Sequence, residues 1–457
     1  MFDLLVVGAG LSGLQAALSA QQAGLTVAVV EARDRVGGKI WSVPLASGRG
    51  YADLGGAWVN TTLQKRVGAY VKQFELKTVV QRLEGKAIMQ DGPQSRFEFP
   101  FGVTPSEFSA EEKKSLEMVR DHIQAESLKP GPPKVVDDNI SLDQYVRNLG
   151  ALPATVKMVN IWAQVMHGLD STEYSAAWFI DYCRRNHGLL AIRADDASGG
   201  QHLRFKDGAQ SLANEIANLV GASNIHLSSA IASISDHGSH MSITTTTGRT
   251  FTGRKVIVSI PSTMYKELNI QPPLPPRLQT VTNATVLGDY NKAIVCYDKP
   301  WWRDHGFNGY FASYVGPIIL ARDTSVDEVG NYCLTCFVNG KPGREWGKMR
   351  PHERRAVVLA QLAQVFGHEE EVYKPIEFFD QIWQHETYSR GALAPITALG
   401  HLTEYKDVYG KKVGNLHFVG TEYSDEWKGY MEGAICSGEA GGREVVEALR
   451  GKERSSL

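Results

Sequence analysis

The sequence of 457 residues has few cysteines, almost no net charge and no long apolar run. Its five cysteines are scattered, which argues against a disulfide framework and fits a reducing compartment, the cytoplasm. A formal charge of -2 gives no long-range field that would attract nucleic acid or an anionic membrane, so neither partner is expected. No segment approaches the roughly 18 apolar residues of a transmembrane helix, so no membrane anchor is expected.

The two ends of the sequence and one pair of cysteines give little indication of targeting or of reactive thiols. The opening Met-Phe-Asp-Leu-Leu lacks the basic region of a signal peptide. The ending Ser455-Ser456-Leu457 resembles a peroxisomal Ser-Lys-Leu signal only loosely, because the middle basic residue is missing. Cys333 and Cys336 form a C-x-x-C, but the surrounding residues predict a strand and not the helix start that activates a thiol. We interpret both as ordinary buried thiols.

The strongest pattern is a predicted strand–helix–strand unit at the N-terminus. A strand over residues 2–7 leads into Gly8-Ala9-Gly10-Leu11-Ser12-Gly13, and a helix over 14–23 and a strand over 25–30 follow. In such a unit the first glycine permits the tight turn, the second lets a pyrophosphate approach the backbone, and the third lets the helix pack closely. Glu31 follows the second strand, where an acid accepts hydrogen bonds from a ribose diol. The pattern predicts a dinucleotide cofactor, NAD or FAD.

Two further glycine pairs follow closely, Gly37-Gly38 and Gly55-Gly56. Glycine pairs so close behind Glu31 indicate that the backbone there approaches an extended cofactor beyond its pyrophosphate. Later segments predict a hairpin around Gly248, strands over 290–297, 332–338 and 416–419, and helices over 351–366 and 433–449. Sequence patterns typical of a cofactor-binding domain occur near the start of the chain, near residue 208 and at the end. They predict one domain that is assembled from three chain segments, with a substrate domain formed by the segments between them.

The N-terminal Glu-Ala-Arg-Asp-Arg-Val-Gly-Gly, with Gly420-Thr421-Glu422 and Gly-Tyr-Met-Glu-Gly-Ala at 429–434, resembles the flavin-containing amine oxidases. That resemblance implies an α/β fold with an FAD-binding, Rossmann-type (glutathione-reductase-like) domain and an α+β substrate domain, whose mixed sheet is backed by helices. It implies an FAD-binding domain over 1–78, 200–268 and 390–457, and a substrate domain over 79–199 and 269–389. A homodimer is common in the family, although the sequence itself does not determine the oligomeric state.

The resemblance also assigns roles to residues. Glu31 would hold the adenosine ribose, and Lys39 would contact a phosphate where the family usually has arginine. The segment Gly56-Ala57-Trp58 would line the flavin, and Thr421 and Met431 would touch its ribityl chain or ring edge. The cofactor-binding residues implied in this way are Gly8, Gly10, Leu11, Ser12, Gly13, Glu31, Ala32, Arg33, Gly38, Lys39, Gly55, Gly56, Ala57, Trp58, Ala230, Gly420, Thr421, Glu422, Tyr430, Met431 and Ala434.

Two positions bear on flavin attachment and on the substrate. Ala392 stands where monoamine oxidases carry a flavin-linked cysteine, so FAD is expected to bind non-covalently. Leu393 replaces one wall of the aromatic pair that sandwiches the amine, while Tyr430 keeps the other. The open wall favours longer aliphatic amines, including polyamines and long-chain amino alcohols. Lys292 matches the lysine that holds a water against the flavin, and Trp383 a tryptophan packed near it.

The implied reaction is the oxidative deamination of a primary amine. A neutral amine delivers hydride to the flavin, water hydrolyses the imine to a carbonyl compound and ammonia, and O2 reoxidises the flavin to give hydrogen peroxide. An L-amino-acid oxidase is the nearest alternative, but Val59 stands where such enzymes carry a carboxylate-binding arginine. A carbon–carbon desaturase or porphyrinogen oxidase is disfavoured by Tyr430. A non-catalytic flavin-binding protein is disfavoured by Lys292 together with Tyr430.

The first prediction concerns the cofactor linkage. Acid or heat denaturation of the yellow protein should release free FAD into the supernatant, because the methyl group of Ala392 cannot form a thioether. Absorbance of the supernatant and of the redissolved pellet measures the partition. Flavin that stays with the precipitated polypeptide would mean that another residue makes a covalent link.

Overall fold

The structure, a computed structural model, describes residues 1–103 and 108–454, so the Ser455-Ser456-Leu457 ending lies outside it. The chain forms a mixed α/β fold. The strands are β1 (Phe2–Val7), β2 (Val27–Val30), β3 (Ser42–Pro44), β4 (Tyr51–Asp53), β5 (Trp58–Val59), β6 (Thr78–Val80), β7 (Lys86–Gly92), β8 (Ser95–Pro100), β9 (Leu203–Phe205), β10 (Ile225–His226), β11 (Ile231–Asp236), β12 (Met241–Thr245), β13 (Thr250–Val258), β14 (Asn269–Gln271), β15 (Val286–Gly288), β16 (Tyr290–Tyr297), β17 (Phe307–Ser313), β18 (Leu320–Asp323), β19 (Tyr332–Asn339), β20 (Glu377–Gln381), β21 (Ala392–Ile396) and β22 (Leu416–Phe418).

The helices follow the same chain order. The α-helices are α1 (Leu11–Gln22), α2 (Lys65–Gln73), α3 (Ala110–Leu128), α4 (Val135–Asp138), α5 (Leu142–Asn148), α6 (Pro153–His167), α7 (Ala176–Arg185), α8 (Leu189–Arg193), α9 (Gln210–Val220), α10 (Pro276–Ala284), α11 (Trp301–Asp304), α12 (Gly340–Gly347), α13 (Pro351–Phe366), α14 (Glu369–Val372), α15 (His401–Glu404) and α16 (Met431–Arg454). Single 3-10 turns occupy Ala222–Asn224, Ser262–Glu267, Asp327–Val329, Trp383–His385 and Thr421–Tyr423.

The first large sheet has the strand order β10-β2-β1-β13-β12-β11-β14, with β22 also paired to β13. Strands β10, β2, β1, β13 and β22 run parallel, and β11 to β13 form an antiparallel meander. Its strands come from chain segments 2–30, 225–271 and 416–418. Because β1, β2, β13 and β22 are parallel, the loops that follow them emerge at one edge of the sheet, where ligands bind in folds of this kind.

Residues on the two faces of this sheet alternate in their packing, as the period of a strand requires. Leu4 and Val6 of β1 face helices α1, α9 and α16, whereas Leu5 and Val7 face the opposite core. Both faces are buried, which explains why β1 and β2 are almost uniformly apolar. Helix α1 packs directly against α16, so the two ends of the chain share one core.

The second large sheet has the order β20-β16-β19-β18-β17-β7-β8. Ala293, Val295 and Tyr297 of β16 point into a core that includes α13. Because successive side chains alternate, Lys292 and Ile294 point to the other face. That other face packs against the segment around residues 41–54, which leads away from the first sheet. The face therefore meets the chain segment that follows the first strand–helix–strand unit.

Helices α3 to α8 form a separate layer with its own apolar core, built around residues such as Trp162 and Trp178. Ser109 and Ser141 cap two of these helices by accepting hydrogen bonds from backbone amides. The loop that contains Pro130, Pro132 and Pro133 separates α3 from α4. Among the described helices, none combines the length and the apolar character needed to cross a lipid bilayer.

Most of the predicted helices and strands are present. Two helices begin earlier than the sequence predicts. Helix α1 begins at Leu11, three residues before the predicted start, because the last residues of the glycine turn already adopt the first helical turn. Helix α16 begins at Met431, directly after Tyr430, whereas the sequence predicted a start at Gly433. In both helices the glycines near the start weakened the sequence signal, since glycine has low helix propensity.

Two glycines of the first turn make a matched test. A Cβ on Gly13 would lie 2.0 Å from the carbonyl oxygen of Gly8, whereas a Cβ on Gly10 would have nothing within 4 Å. We expect Gly13→Val to misfold and Gly10→Val to fold but to lack FAD, because its side chain would project where the pyrophosphate approaches. Circular dichroism and flavin absorbance measure the two properties. Full FAD occupancy in Gly10→Val would show that the glycines serve only the turn.

Candidate active site

A cavity of about 1430 Å³ runs between the first sheet, the second sheet and the helical layer. This volume exceeds the 300–1,000 Å³ typical of a pocket for one small molecule, so it leaves room for an extended cofactor and a substrate. The predicted site residues that line it are Gly8, Gly10, Leu11, Ser12, Glu31, Ala32, Arg33, Gly38, Lys39, Gly55, Gly56, Ala57, Trp58, Ala230, Lys292, Trp383, Leu393, Gly420, Thr421, Glu422, Tyr430, Met431 and Ala434. Gly13 lies behind this wall, at the contact between helix α1 and strand β1.

One end of the cavity begins at the turn between β1 and α1. Gly8 has a φ of +101°, a conformation that side-chain-bearing residues rarely adopt. Gly10 precedes the first turn of α1, which has no side-chain cap, and its missing side chain leaves open space. The free amides of a helix start carry partial positive charge, and they attract an anion such as a pyrophosphate.

Glu31 lies at the carboxyl end of β2 and is 4% exposed. Its two carboxylate oxygens accept hydrogen bonds from the backbone amides of Ala9, at 2.7 Å, and Arg33, at 2.9 Å. These bonds fix the carboxylate against the glycine turn. Each oxygen keeps a further lone pair. Glu31 is therefore oriented and still able to accept hydrogen bonds from a ribose diol.

Basic side chains lie beside the middle of the cavity. The Arg33 guanidinium forms an ion pair with Glu386 at 3.1 Å. Lys39 donates a hydrogen bond through Nζ to the carbonyl oxygen of Leu393 at 2.6 Å. Burial lowers the pKa of Lys39, and the nearby Glu422 carboxylate partly opposes this shift. The phosphate contact expected for Lys39 stays a prediction, since its ammonium here binds the chain itself.

Leu393 has an unusual backbone, with a φ of +61° in the left-handed region. Its carbonyl oxygen is the group that Lys39 binds. Any residue with a Cβ atom costs about 1 kcal/mol or more in this region, so the surrounding contacts must hold Leu393 there. The neighbouring Ala392 also lines the cavity, and it offers only a methyl group there.

Lys292 lies on β16 and is 3% exposed. Its Nζ donates hydrogen bonds to the carbonyl oxygens of Asp53, at 3.0 Å, and Gly55, at 2.5 Å. The ammonium also lies 5.4 Å from the ring centroid of Trp58 and 5.6 Å from that of Phe337. Burial lowers the pKa of Lys292 to about 8, although the Asp53 carboxylate opposes the shift. Lys292 is thus a buried cation at the cavity wall, and not the solvated lysine that its strand-entrance position alone would suggest.

Trp383 holds the same backbone segment from a neighbouring position. Its indole Nε1 donates a hydrogen bond to the carbonyl oxygen of Leu54 at 3.1 Å. Gly55 sits so close to the preceding chain that a Cβ there would lie 2.2 Å from the carbonyl oxygen of Lys39. Gly56 has more space, since its nearest neighbour would be the Met431 side chain at 3.8 Å. The second predicted glycine pair therefore lies in the cavity wall, as expected from its approach to an extended ligand.

Tyr430 is half-buried at the opposite wall, in the turn before α16. Thr421 fixes this turn, because its Oγ1 accepts from the Gly429 amide at 2.7 Å and donates to the Tyr430 carbonyl oxygen at 3.1 Å. The Tyr430 ring packs edge-on against Trp427 with ring centroids 5.1 Å apart. Burial raises the pKa of Tyr430 to about 12, so its phenol is neutral at ordinary pH.

Several residues of this chamber were not identified from the sequence. Gln201 donates through Nε2 to the Tyr430 hydroxyl at 3.0 Å. A Cβ on Gly200 would lie 3.0 Å from the Tyr430 ring, so the Gly199-Gly200 pair before Gln201 is the signal in the sequence that points to this close contact. The other residues of the chamber are far apart in the sequence, and only the tertiary fold brings them together. These are Tyr182, Asp195, Tyr290, Tyr310, Arg322 and Phe337.

The residues present fit FAD. Glu31 and the open Gly10 turn suit the adenosine and pyrophosphate, and the wall formed by Gly56, Trp58 and Met431 leaves room for a flat ring system. The cavity then continues past Lys292 and Tyr430 into an apolar chamber large enough for a small organic substrate. A single space that joins a dinucleotide site to an apolar chamber is what a cofactor-dependent oxidoreductase needs.

Comparison with known proteins agrees with this geometry. The family model described as flavin containing amine oxidoreductase matches residues 11–446. A probable flavin-containing monoamine oxidase A of Dictyostelium discoideum is 29% identical, with 98% of both chains covered. The human amine oxidase [flavin-containing] B is 27% identical over 98% of this chain and 86% of its own length.

Solved structures agree in fold. A putrescine oxidase bound to putrescine superposes with a TM-score of 0.90 at 23% identity, over 97% of this chain and 99% of that one. Cyclohexylamine oxidase from Brevibacterium oxydans gives 0.90 at 22% identity, over 98% and 99% of the two chains. The family model spans nearly the whole chain, and the residues that it matches include Glu31 near one end of the cavity and Lys292 and Tyr430 at the chamber. The chain therefore belongs to the flavin-containing amine oxidoreductase family, and it is an FAD-dependent enzyme that oxidises amines.

Proposed function

We propose that the enzyme oxidises a neutral primary amine with an aliphatic body, whose amino carbon lies between Lys292 and Tyr430. The observation that carries this proposal is the continuity of one cavity from Glu31 to the chamber that these two side chains border. When bound, FAD accepts the two electrons of the amine and passes them to O2, giving hydrogen peroxide. The imine product is released for hydrolysis to a carbonyl compound and ammonia.

The protein's contribution is to position the amine and to exclude water. Trp58, Phe337 and Tyr430 supply flat apolar surfaces on which an alkyl chain packs. The neutral phenol of Tyr430 does not accept a proton from an ammonium substrate, which agrees with an amine that arrives without its extra proton. Leu393 leaves one side of the chamber without an aromatic wall, which favours an aliphatic amine over an arylethylamine by about 1 kcal/mol of lost stacking.

Lys292 supplies positive charge to the chamber. Its ammonium is held by carbonyl oxygens and surrounded by aromatic rings, so it cannot move toward solvent. A preorganised cation in a poorly solvated site stabilises negative charge that develops on O2 as it is reduced. We propose this role for Lys292 in addition to the expected water contact.

The remaining site assignments belong to the same proposal. Segments 1–78, 200–268 and 390–457 would hold FAD, and segments 79–199 and 269–389 would hold the amine. The strand order of the first large sheet supports this division. The sheet also includes β14 (Asn269–Gln271), which lies just beyond the limit at residue 268. We propose that FAD is bound without a covalent link, since Ala392 offers only a methyl group. The proposed activity does not depend on whether the chain forms a homodimer or on its compartment.

The substrate's protonation state gives one testable consequence. At limiting amine, anaerobic flavin reduction should quicken about tenfold per pH unit below the amine's pKa, because only the neutral form reacts. Stopped-flow absorbance measures the rate. A rate that stays flat between pH 6 and 10 for an ordinary alkylamine would contradict the requirement for a neutral substrate.

The role of Lys292 predicts different effects on the two half-reactions. Lys292→Met should keep FAD, because the Trp383 indole still binds the Leu54 carbonyl oxygen of the segment that Lys292 holds. Its reoxidation by O2 should slow by about 10- to 1000-fold, since a charge that stabilises reduced oxygen is lost. Anaerobic reduction by the amine should change less. In the wild type, reoxidation should slow as pH rises through about 8, where Lys292 loses its proton, and the variant should lack this dependence.

Lys428→Met is the matched control for this experiment. Lys428 is also buried and burial lowers its pKa to about 8, but it lies over the Trp178 ring and away from the cavity wall. Its replacement should leave reoxidation near the wild-type rate. Equal rates in Lys292→Met and wild type would remove Lys292 from oxygen chemistry.

A further inference from the structure

Two cysteines of the second large sheet face each other across neighbouring strands. Cys296 on β16 and Cys333 on β19 are paired in the strand register, and the two residues are 0% and 2% exposed. The thiol of Cys333 donates toward the sulfur of Cys296, with 2.7 Å between the two Sγ atoms. Non-bonded carbon atoms pack best at about 3.5–4.0 Å, and sulfur is larger than carbon. The two sulfurs therefore lie within reach of a covalent bond.

The C-x-x-C of the sequence is divided between the two faces of β19. Cys333 lies in the apolar cluster that also contains Cys296, whereas Cys336 lies in the core that includes α13. Residues three apart in a strand point to opposite faces, so Cys333 and Cys336 cannot form a disulfide with each other. The cysteine that can pair with Cys333 is Cys296, on the neighbouring strand.

The backbone geometry of the pair suits a cross-strand disulfide. The carbonyl oxygen of Cys296 accepts a hydrogen bond from the Ile376 amide, and that of Cys333 accepts one from the Thr324 amide, both at 2.8 Å. The two peptide groups thus point away from each other, toward β20 and β18, which makes the cysteines a non-hydrogen-bonded pair. In such a pair the Cα atoms lie about 4.5 Å apart, within the range of about 4.4–6.8 Å found in disulfides. A bond between the sulfurs therefore needs little movement of the strands.

Cys333 also borders a small space next to the active site. This space of about 20 Å³ is lined by Cys333 together with Lys292 and Trp58, and the last two side chains line the main cavity as well. Its volume is enough for one water-sized molecule. The proposed function makes hydrogen peroxide on the cavity side of Lys292. The oxidant thus forms one layer of side chains away from the Cys333 sulfur.

The surroundings of Cys333 make its oxidation slow. Burial raises the pKa of the Cys333 thiol well above its usual value, and the hydrogen bond to Cys296 and the Asp323 carboxylate add to this rise, while Arg204 opposes it. The thiolate is the reactive form of cysteine, so a thiol that keeps its proton reacts with peroxide only slowly. Oxidation therefore accumulates over many catalytic cycles, since each cycle makes one peroxide inside the protein.

We propose that Cys296 and Cys333 are a modification site, at which hydrogen peroxide made by the enzyme forms a reversible disulfide. This inference rests on the proposed function for the supply of the oxidant. The bond would cross-link β16, which carries Lys292, to β19. Thiol–disulfide exchange with a cellular thiol would restore the two cysteines in a reducing compartment.

The oxidation proceeds in two steps that consume one peroxide. The Cys333 sulfur attacks one peroxide oxygen, the O–O bond breaks, and the other oxygen leaves as water with the thiol proton, which gives a sulfenic acid. The Cys296 sulfur then attacks the Cys333 sulfur, the S–O bond breaks, and the hydroxyl group leaves as water with the Cys296 proton. Peroxide gains two electrons, and the two sulfurs together lose two.

Thiol counts before and after turnover test the proposal. FAD-loaded enzyme is reduced, freed of reductant and supplied with hexylamine in air, and N-ethylmaleimide then labels the remaining thiols in denaturant. Mass spectrometry should find all five cysteines labelled before turnover. After prolonged turnover the label should be lost from Cys296 and Cys333 alone, and their peptides should be joined by a bond that a reductant breaks. Enzyme kept with hexylamine under nitrogen should retain all five labels.

Added peroxide separates this inference from the proposed function. Millimolar hydrogen peroxide without amine should produce the same cross-link. If no amine yields peroxide from FAD-loaded protein, the proposed function fails, and the added peroxide still decides whether the pair forms the bond. A cross-link with added peroxide but none during turnover would overturn the role of the enzyme's own product. Five free thiols in both experiments, or sulfinic acid in place of the disulfide, would overturn the site itself.

Substitutions assign the two steps to the two residues. Cys336→Ala is the matched control, because Cys336 is also buried on β19 but is paired with Ala293, and this variant should still form the cross-link. Cys296→Ala removes the second thiol, so the sulfenic acid of Cys333 should accumulate and react with dimedone in denaturant. Cys333→Ala should lose most of this label, since Cys333 is the cysteine of the pair that borders the small space. Equal labelling in the two variants would overturn the order of the steps, and loss of the cross-link in Cys336→Ala would overturn the pairing.

Discussion

The site depends on a short stretch of backbone that is held by donors from the opposite sheet. Lys292 binds the carbonyl oxygens of Asp53 and Gly55, and the Trp383 indole binds that of Leu54 between them. Three consecutive carbonyl groups are thus satisfied by two side chains, one on β16 and one in the 3-10 turn that follows β20. A buried ammonium is costly unless such partners surround it, so the charge can remain at the cavity wall only while this segment stays in place. The same bonds join the two halves of the molecule across the cavity.

The cofactor end could be predicted from the sequence because its determinants are local. The roles of Gly8, Gly10 and Gly13 depend on the geometry of a single turn, and Glu31 follows the next strand at a fixed spacing, so about thirty residues contain the whole pattern. The strand over Tyr290–Tyr297 was also predicted with its observed limits, since residues 293–297 are apolar and the strand is buried on both faces. Where helices begin in glycine-rich turns, the predicted limits were displaced.

The substrate chamber could not be predicted to the same extent, because its walls come from residues far apart in the chain. Gln201 meets Tyr430 across 229 positions, and Arg322 meets Asp195 only after the helical layer packs on the second sheet. A single arginine in a predicted strand gives no indication in the sequence that it meets a distant carboxylate. The resemblance to amine oxidases supplied Lys292 and Trp383, but it could not supply residues that are particular to this chain.

The left-handed backbone of Leu393 has a consequence for how the enzyme can change over evolution. Glycine or asparagine would occupy this position with less strain, and either would raise the free energy of unfolding by up to about 1 kcal/mol. Both would also remove the apolar side chain that borders the chamber, while a relaxed leucine would turn its carbonyl oxygen away from Lys39. Selection for thermal stability and selection for substrate fit therefore act in opposite directions on this one residue. Variants selected only for heat resistance should accumulate changes at position 393 and lose discrimination between amines as they do so.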